Sequence, residues 1–330
     1  MRGEQHKRYG DAPKRLLEVT RVSVRRDVTI AITTKDRPAF TILAVNSARE
    51  SAPQARIIVV DSGSSPENLE TLRANAGHVD LHVGVYRNAA AARNAALRLI
   101  DSEFVGFLDS DDLMRPEKIT CLLPLLQDRN AVVAIGRTVI IDGDGRADAV
   151  FTERVGKWYD ESERVGASYS GLCIRSTAFT SATLMRRTAL EQIGGYDEAL
   201  PSMEDWDLYL RLSLIGKVAT SRCVAGNYRV WSGNVNATGS AEGVIAVAGK
   251  HLANPPDLPQ HELRRAECAL RIRAALSLQT LLRKREARAS LAGAVRANPA
   301  QALGSLAFWR ILTSSFVAER LIERRRASTR

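Results

Sequence analysis

Four apolar runs follow one another at nearly even spacing: VTIAITTK (28–35), ARIIVVDSGSS (55–65), VDLHVGVY (79–86) and EFVGFLDSDD (103–112). Each is short enough for a strand and continuous enough to be covered on both faces. Between them lie helix-length segments, PAFTILAVNSARESA (38–52), PENLETLRANA (66–76) and AAAARNAALRLID (89–101). Strand and helix alternating at this pitch predict an α/β fold, a parallel sheet with helices on its faces. Such sheets take ligands outside the carboxyl ends of their strands. Asp36, Asp61, Asp109, Asp111 and Asp112 all fall at those ends. The pattern therefore predicts that they converge.

Three of these carboxylates crowd into FLDSDD (107–112). Like charges held so close imply a cation between them. An EF-hand does not account for the cluster. It needs Gly at its sixth position and Glu at its twelfth, and counting from Asp109 those places hold Met114 and Thr120. Asp112 could cap a helix starting near Pro116, but capping does not explain all three. Further on the alternation weakens. Residues 131–151 read as a β-hairpin around DGDG, followed by a polar loop (152–171) and a short strand (178–187). A turn into a helix (194–216), a strand or strand pair (217–231) and a Gly/Asn-rich stretch to about residue 243 come next.

Charge divides the chain. The net +10 comes from its ends: residues 262–330 carry 15 Lys/Arg against 5 Asp/Glu, and residues 1–27 carry 8 against 4. The middle, with 24 basic and 28 acidic residues, is mildly acidic. This suggests a basic N-terminal extension (1–27), a central domain (28–250) and a basic helical C-terminal region (251–330). The extension lacks the central apolar stretch of a secretory leader, and no run of eighteen apolar residues reads as a membrane span. Cys121, Cys173, Cys223 and Cys268 stand singly, which favours reduced thiols in a cytoplasm over a disulfide framework or a zinc site. In the C-terminal region Leu270, Ala274, Leu278 and Leu281 fall near one helix face, with arginines around it. A later helix starts at Asn298-Pro299 and offers Phe308, Trp309, Leu312 and Phe316 on one side, followed by Arg324, Arg325 and Arg326. Two readings are open: these faces pack on the catalytic domain, or they dock on an anionic membrane surface. No nucleic-acid partner is expected, because the basic ends lack interleaved aromatics.

Five motifs stand in order: TTKDRP (33–38), VVDSGSS (59–65), FLDSDD, GGYDE (194–198) and EDWDLYLR (204–211). In that register, over about residues 28–235, the chain resembles the family 2 glycosyltransferases. The resemblance implies a GT-A fold: a Rossmann-like, mostly parallel sheet with flanking helices and a smaller mixed sheet for the acceptor. Beyond it would lie a C-terminal helical appendage. It also implies inverting transfer from a nucleotide-diphosphate sugar to a glycan or lipid-linked acceptor, by a hexosyltransferase that is cytoplasmic or peripheral on the inner membrane face. By the same resemblance Asp111 holds Mn²⁺ or Mg²⁺, and Asp109 binds the ribose or shares the metal. Asp61 accepts from the nucleotide base. Thr34, Asp36 and Arg37 form the first nucleotide-contacting loop, and Arg93, paired with Asn94 in AARNAAL, reaches the ring or a phosphate. Asp205 is the general base, Glu204 its supporting neighbour and Trp206 a wall for the acceptor sugar.

Plainer roles exist for several of these residues. Asp61 suits an Asx turn before Gly63, the Thr34–Arg37 loop a helix N-cap before Pro38, and Glu204 and Asp205 the first turn of a helix. The chain also departs from the family pattern. Thr33 stands in place of Pro, Ala96 in place of Gly, and Trp231, which cannot ligate a cation, in place of a His. Two other functions compete. A nucleotidyltransferase making the sugar nucleotide would want a Gly-rich basic loop, and TTKDRP has no glycine. A nucleic-acid-binding module would leave the acidic strand ends unexplained.

Overall fold

The computed structural model describes residues 27–77, 79–231 and 237–313. The N-terminal extension, Phe316 and the Arg324–Arg326 cluster lie outside the described residues.

The predicted alternation is present as β1 (Val28–Thr34), α1 (Pro38–Ser51), β2 (Arg56–Ser62), α2 (Pro66–Asn75), β3 (Asp80–Gly84), α3 (Ala89–Leu97) and β4 (Phe104–Asp109). Pro38 and Pro66 open their helices where no backbone donor is needed. The parallel register sets Thr34 beside Asp61 and Thr33 beside Asp109. The loops leaving β1, β2 and β4 therefore emerge together.

The rest of the chain is β5 (Leu113–Met114), α4 (Lys118–Leu122), β6 (Ala131–Ile141), α5 (Ala149–Val165), α6 (Tyr169–Ile174), β7 (Thr183–Arg186), α7 (Arg187–Gln192), α8 (Glu204–Leu212), β8 (Lys217–Arg229), α9 (Ala237–Ala253), α10 (Gln260–Thr280), α11 (Lys284–Ala297) and α12 (Pro299–Leu303). All strands join one eight-stranded sheet in the order β3-β2-β1-β4-β7-β6-β8-β5. It is parallel from β3 to β4, then mixed: β7 runs antiparallel to β4 and β6, β8 parallel to β6, and β5 antiparallel to β8.

Three expectations fail here. The segment 131–151 is not a hairpin: β6 ends in the DGDG turn, and only the single bridge from Ile141 to Ala147 follows. The polar loop expected over 152–171 is mostly α5. Asp148 caps that helix by accepting the Phe151 N–H at 2.9 Å, while Val155 and Tyr159, one turn apart, are buried. Its solvent side is charged enough to hide the period. The Gly/Asn-rich stretch likewise gives way to α9 from Ala237.

The cysteine reading is also corrected. Cys121 of α4 and Cys223 of β8, 102 residues apart in sequence, are joined by a disulfide across a Cα separation of 6.6 Å. Their isolation in sequence hid the pairing, because β8 is brought alongside α4 only by the fold. With two of the four cysteines paired, their isolation in sequence no longer bears on the compartment. No described helix is long and apolar enough to cross a membrane.

The main core begins under the sheet at Ala31 and Val105 and passes through Trp206 and Leu210. It continues into Val247 and Ala248 of α9 and Ala266, Ala269, Leu270 and Ala274 of α10. A boundary at residue 250 thus cuts through α9, with core residues on both sides of it. The other face of α10, with Ile272, Ala275 and Leu278, packs on Leu291, Phe308 and Ile311. Each side chain of this size contributes about 1.5–3 kcal/mol on full burial. Packing is therefore what Leu270, Ala274 and Leu278 do. Phe308 is buried and Trp309 is 46% exposed, so the two do not share a side.

Candidate active site

A cleft of about 620 Å³ opens at the carboxyl ends of β1, β2 and β4 and is closed on its far side by the start of α8. Thr34, Asp36, Arg37, Arg93, Asp109, Asp111, Glu204 and Asp205 all line it. Asp36 and Met203 carry positive φ angles of 51° and 62°. For residues other than glycine this is a strained conformation, which persists where surrounding contacts impose it. Here it turns the TTKDRP loop and the EDW segment into the cleft.

The crowded aspartates have separate partners. Asp109 accepts from Arg93 Nη2 at 2.6 Å. Asp111 Oδ2 accepts from Arg37 Nη1 at 3.0 Å and from the Trp231 indole N–H at 2.9 Å. Asp112 does not face the cleft: it is 1% exposed and accepts from the Ser181 hydroxyl at 2.6 Å and the Arg229 N–H at 2.9 Å. Burial, then the charge of Asp109, pushes its carboxyl well above the usual range. Beneath it Lys118, fully buried, donates to the Ser181 carbonyl at 2.9 Å. Burial pulls this amine down to about 7 while Asp109 and Asp112 oppose the shift. Gly106 makes room for it, since a Cβ there would meet Lys118 Nζ at 3.3 Å and Ile30 at 2.9 Å.

Asp61 is fully buried, and its carboxylate accepts the N–H groups of Gly63 and Ser64 and the Ser64 hydroxyl. Its oxygens are turned into its own turn rather than the cleft. Asp36 accepts from Ser65 N–H at 2.7 Å and Asn68 at 3.1 Å, clipping the β1 loop to the β2 loop. Those bonds, the Ser65 one first, lower its pKa.

Arg93 is 5% exposed and spans the cleft floor, with Nη1 on Glu204 at 2.5 Å and Nη2 on Asp109. Burial works against its charge, yet Asp109 and Glu204 hold it protonated well above the ordinary value. Asn94 turns away and grips the GGYDE turn, donating to the Tyr196 carbonyl and accepting from the Tyr196 N–H. A Cβ on Gly195 would meet Asn94 Oδ1 at 2.5 Å. Asp205 accepts from the Trp206 N–H at 2.7 Å and lies 3.5 Å from the Thr180 hydroxyl. Burial, then the neighbouring Glu204, pushes its carboxyl up to about 7, with Arg93 opposing. Such a carboxylate can take a proton near neutrality.

Trp206 corrects the expectation of an acceptor wall. Its ring is 2% exposed and its indole donates to the Leu172 carbonyl at 3.1 Å, so it supports Asp205 from inside. Sequence reasoning also missed Lys118, Ser181 and Arg229. Arg229 is 2% exposed and holds the Asp111 carbonyl at 2.7 Å. A lysine opening the otherwise apolar KITCLLPLL was the one signal available.

Among the described residues no group of three or more His, Cys, Asp or Glu side chains could enclose a metal. Asp109 and Asp111 are the cluster's two carboxylates on the cleft. One or two carboxylates suffice for Mg²⁺-type ions whose shell is completed by phosphate oxygens and water. The donor set fits a hard cation of that kind.

The family model for glycosyl transferase family 2 matches residues 29–194, half of the chain. The pre-mycofactocin glycosyltransferase of Mycobacterium tuberculosis is 30% identical over 196 residues, covering 57% of this chain and 39% of that protein. The succinoglycan biosynthesis protein ExoU of Rhizobium meliloti is 30% identical over 200 residues, 56% of each. The chain thus spans between two-fifths and three-fifths of the length of these relatives. Among solved structures, the mannosyltransferase PcManGT of Pyrobaculum calidifontis, in complex with GDP-Man and Mn²⁺, superposes with a TM-score of 0.60 at 19% identity, covering 88% of this chain and 79% of that one. TarS of S. aureus gives 0.54 at 15% identity, covering 84% and 82%. These likenesses bear out the GT-A fold.

Proposed function

Taking as premise that the chain belongs to glycosyl transferase family 2, we propose that it moves a sugar from a nucleotide-diphosphate donor to a hydroxyl of a glycan or lipid-linked acceptor, with inversion. The observation that carries the reading is a carboxylate raised to about 7, Asp205, in the same cleft as the paired Asp109 and Asp111. Asp205 removes the proton of the acceptor hydroxyl as its oxygen bonds to the anomeric carbon. The bond from that carbon to the diphosphate breaks on the opposite face. Glu204, tied to Arg93, holds the start of α8 against the donor side. Thr34, Asp36 and Arg37 form the nucleotide rim. Asp109 and Asp111 would hold Mn²⁺ or Mg²⁺, which when bound neutralises charge on the departing diphosphate.

A lipid-linked acceptor goes with a peripheral place on the anionic inner face of a membrane, which the basic C-terminal region supports. Leu282, Leu303, Leu306 and Trp309, 79%, 48%, 87% and 46% exposed, are its large apolar points among the described residues.

The test is a thermal-shift panel of nucleotide sugars with each metal, beginning with GDP-mannose and UDP-GlcNAc, the ligands of PcManGT and of a TarS complex. At least one pair should stabilise the wild type, and Asp111→Ala should abolish the metal-dependent part. Stabilisation by no member of the panel, or an undiminished shift in the variant, overturns the reading.

A further inference from the structure

The family match ends at residue 194, before Asp205, yet the segment carrying Asp205 is gripped by helices further along the chain. The Arg273 guanidinium of α10 lies 4.0 Å from the centroid of the Trp206 ring. Trp206 is fixed on its edge by the Leu172 carbonyl of α6, and its own N–H binds Asp205 Oδ1. Arg265, also of α10, ties that helix to α6 through Ser170 Oγ at 3.2 Å and to the end of α5 through the Val165 carbonyl at 3.0 Å. Two residues beyond Asp205, the buried Asp207 accepts from Lys250 at 2.8 Å and His251 at 3.0 Å, both of α9.

We infer that α9 and α10 form the back wall of the transfer site, and that Arg273 is a positioning residue that orients Asp205 and sets its basicity through the Trp206 ring. This rests on the reading of Asp205 as the base. A cation on an indole face is favourable and directional, so it fixes the plane of Trp206 and with it the backbone donor on Asp205. Burial lowers Arg273 to about 10, with nearby Arg175 adding to the effect, so it stays charged at neutral pH and feels Asp205. Asp205 also faces Glu204 and Tyr209 on its own helix, Arg93 on α3, Asp109 on β4, Tyr196 in the GGYDE turn and Tyr228 on β8. Among these Arg93 is the other cation. It touches Asp109 and Glu204, whereas Arg273 approaches from the protein side.

The experiment needs no substrate. Unfolding free energy is measured for wild type and Asp205→Asn from about pH 5 to 9, and the difference is plotted. A carboxyl raised on folding contributes most at low pH, and its contribution is lost as pH rises to its folded pKa. The difference curve should therefore flatten near 7. In an Arg273→Met background the break should move up, as for loss of an opposite charge that feels Asp205. Arg273→Lys should restore most of it. If the Met variant does not fold, Arg273→Gln against Arg273→Lys makes the same comparison. An unmoved break, no break in the wild type, or a Lys variant indistinguishable from the neutral one overturns the inference. Because the readout is stability, it is separable from the base assignment. Full transfer by Asp205→Asn would remove Asp205 as base while leaving its coupling to Arg273 measurable.

Discussion

The strand-end rim and the helical wall meet in one cleft but are built in opposite ways. The rim consists of residues at the ends of β1, β2 and β4, and parallel register alone sets Thr34 beside Asp61 and Thr33 beside Asp109. Its clips are short, such as Asp36 to Ser65 and Asn68. The wall depends on contacts between distant parts of the chain: Arg93 to Glu204, Trp206 to Arg273, Asp207 to Lys250 and His251. A rim of this kind can vary locally and still fold. The wall places a buried charge at each joint, and each joint is exposed to the loss of one partner.

The largest expected effect is on that wall. Asp207 is fully buried and bound by Arg211 at 2.8 Å, Lys250 at 2.8 Å and His251 at 3.0 Å. Against the effect of burial, His251, Arg211 and Lys250 hold its carboxyl well below the usual range. A depressed carboxyl contributes stability above its unfolded pKa and loses it as pH falls below the ordinary carboxylate range. Asp207→Ala strands its cationic partners and should cost about 3–5 kcal/mol in denaturant unfolding at neutral pH. The penalty should shrink towards low pH. A cost matching that of Asp36→Ala, whose clip is exposed, would erase the contrast between wall and rim.

The same contrast governs what was legible in the sequence. The parallel half could be read because each strand is an uninterrupted apolar run and each of its cleft-lining residues stands at or just beyond its end. Asp109, Asp111, Asp36 and Arg37 needed nothing further. For Asp61 the sequence left two readings open, because a carboxylate that serves an Asx turn has the same sequence as one that serves a ligand; the structure shows the turn. Asp112 has the same local sequence signature as Asp111, and only the position of Ser181 and Arg229 makes one buried and the other cleft-facing. Trp206 failed for a similar reason: its exposure is decided by α10, more than fifty residues later. The disulfide and α5 were lost to isolation in one case and to a charged outer face in the other.

Next in size is Asp205→Asn, which keeps shape and loses basicity. Transfer should fall by roughly a hundredfold or more, the usual contribution of a general base, with nucleotide-sugar affinity unchanged because the rim is untouched. In the wild type the active form is the carboxylate. The rate should climb about tenfold per pH unit below a break near 7 and level off above it. The variant should lose that limb. Parallel loss of donor affinity in the nucleotide-sugar thermal shift would mean that rim and wall are one unit.

The smallest effect lies on the rim, at Trp231. Trp231 donates to Asp111 Oδ2, packs edge-on against Phe40 at 5.0 Å and lies beneath Arg37 at 5.2 Å. Trp231→Phe keeps an aromatic ring at the site and removes the N–H. Arg37 shares the same oxygen, but it also lines the cleft and can turn to an incoming diphosphate. Trp231 would then be the contact that keeps the Asp111 carboxylate in place. One hydrogen bond of this kind contributes about 0.5–1.5 kcal/mol. Calorimetric titration of Mn²⁺ with a nucleoside diphosphate should accordingly weaken two- to tenfold, while the pH break of Asp205 stays where it was. Affinity that holds or rises would reduce Trp231 to packing, and a moved break would show that the two regions are coupled through Asp109 and Arg93.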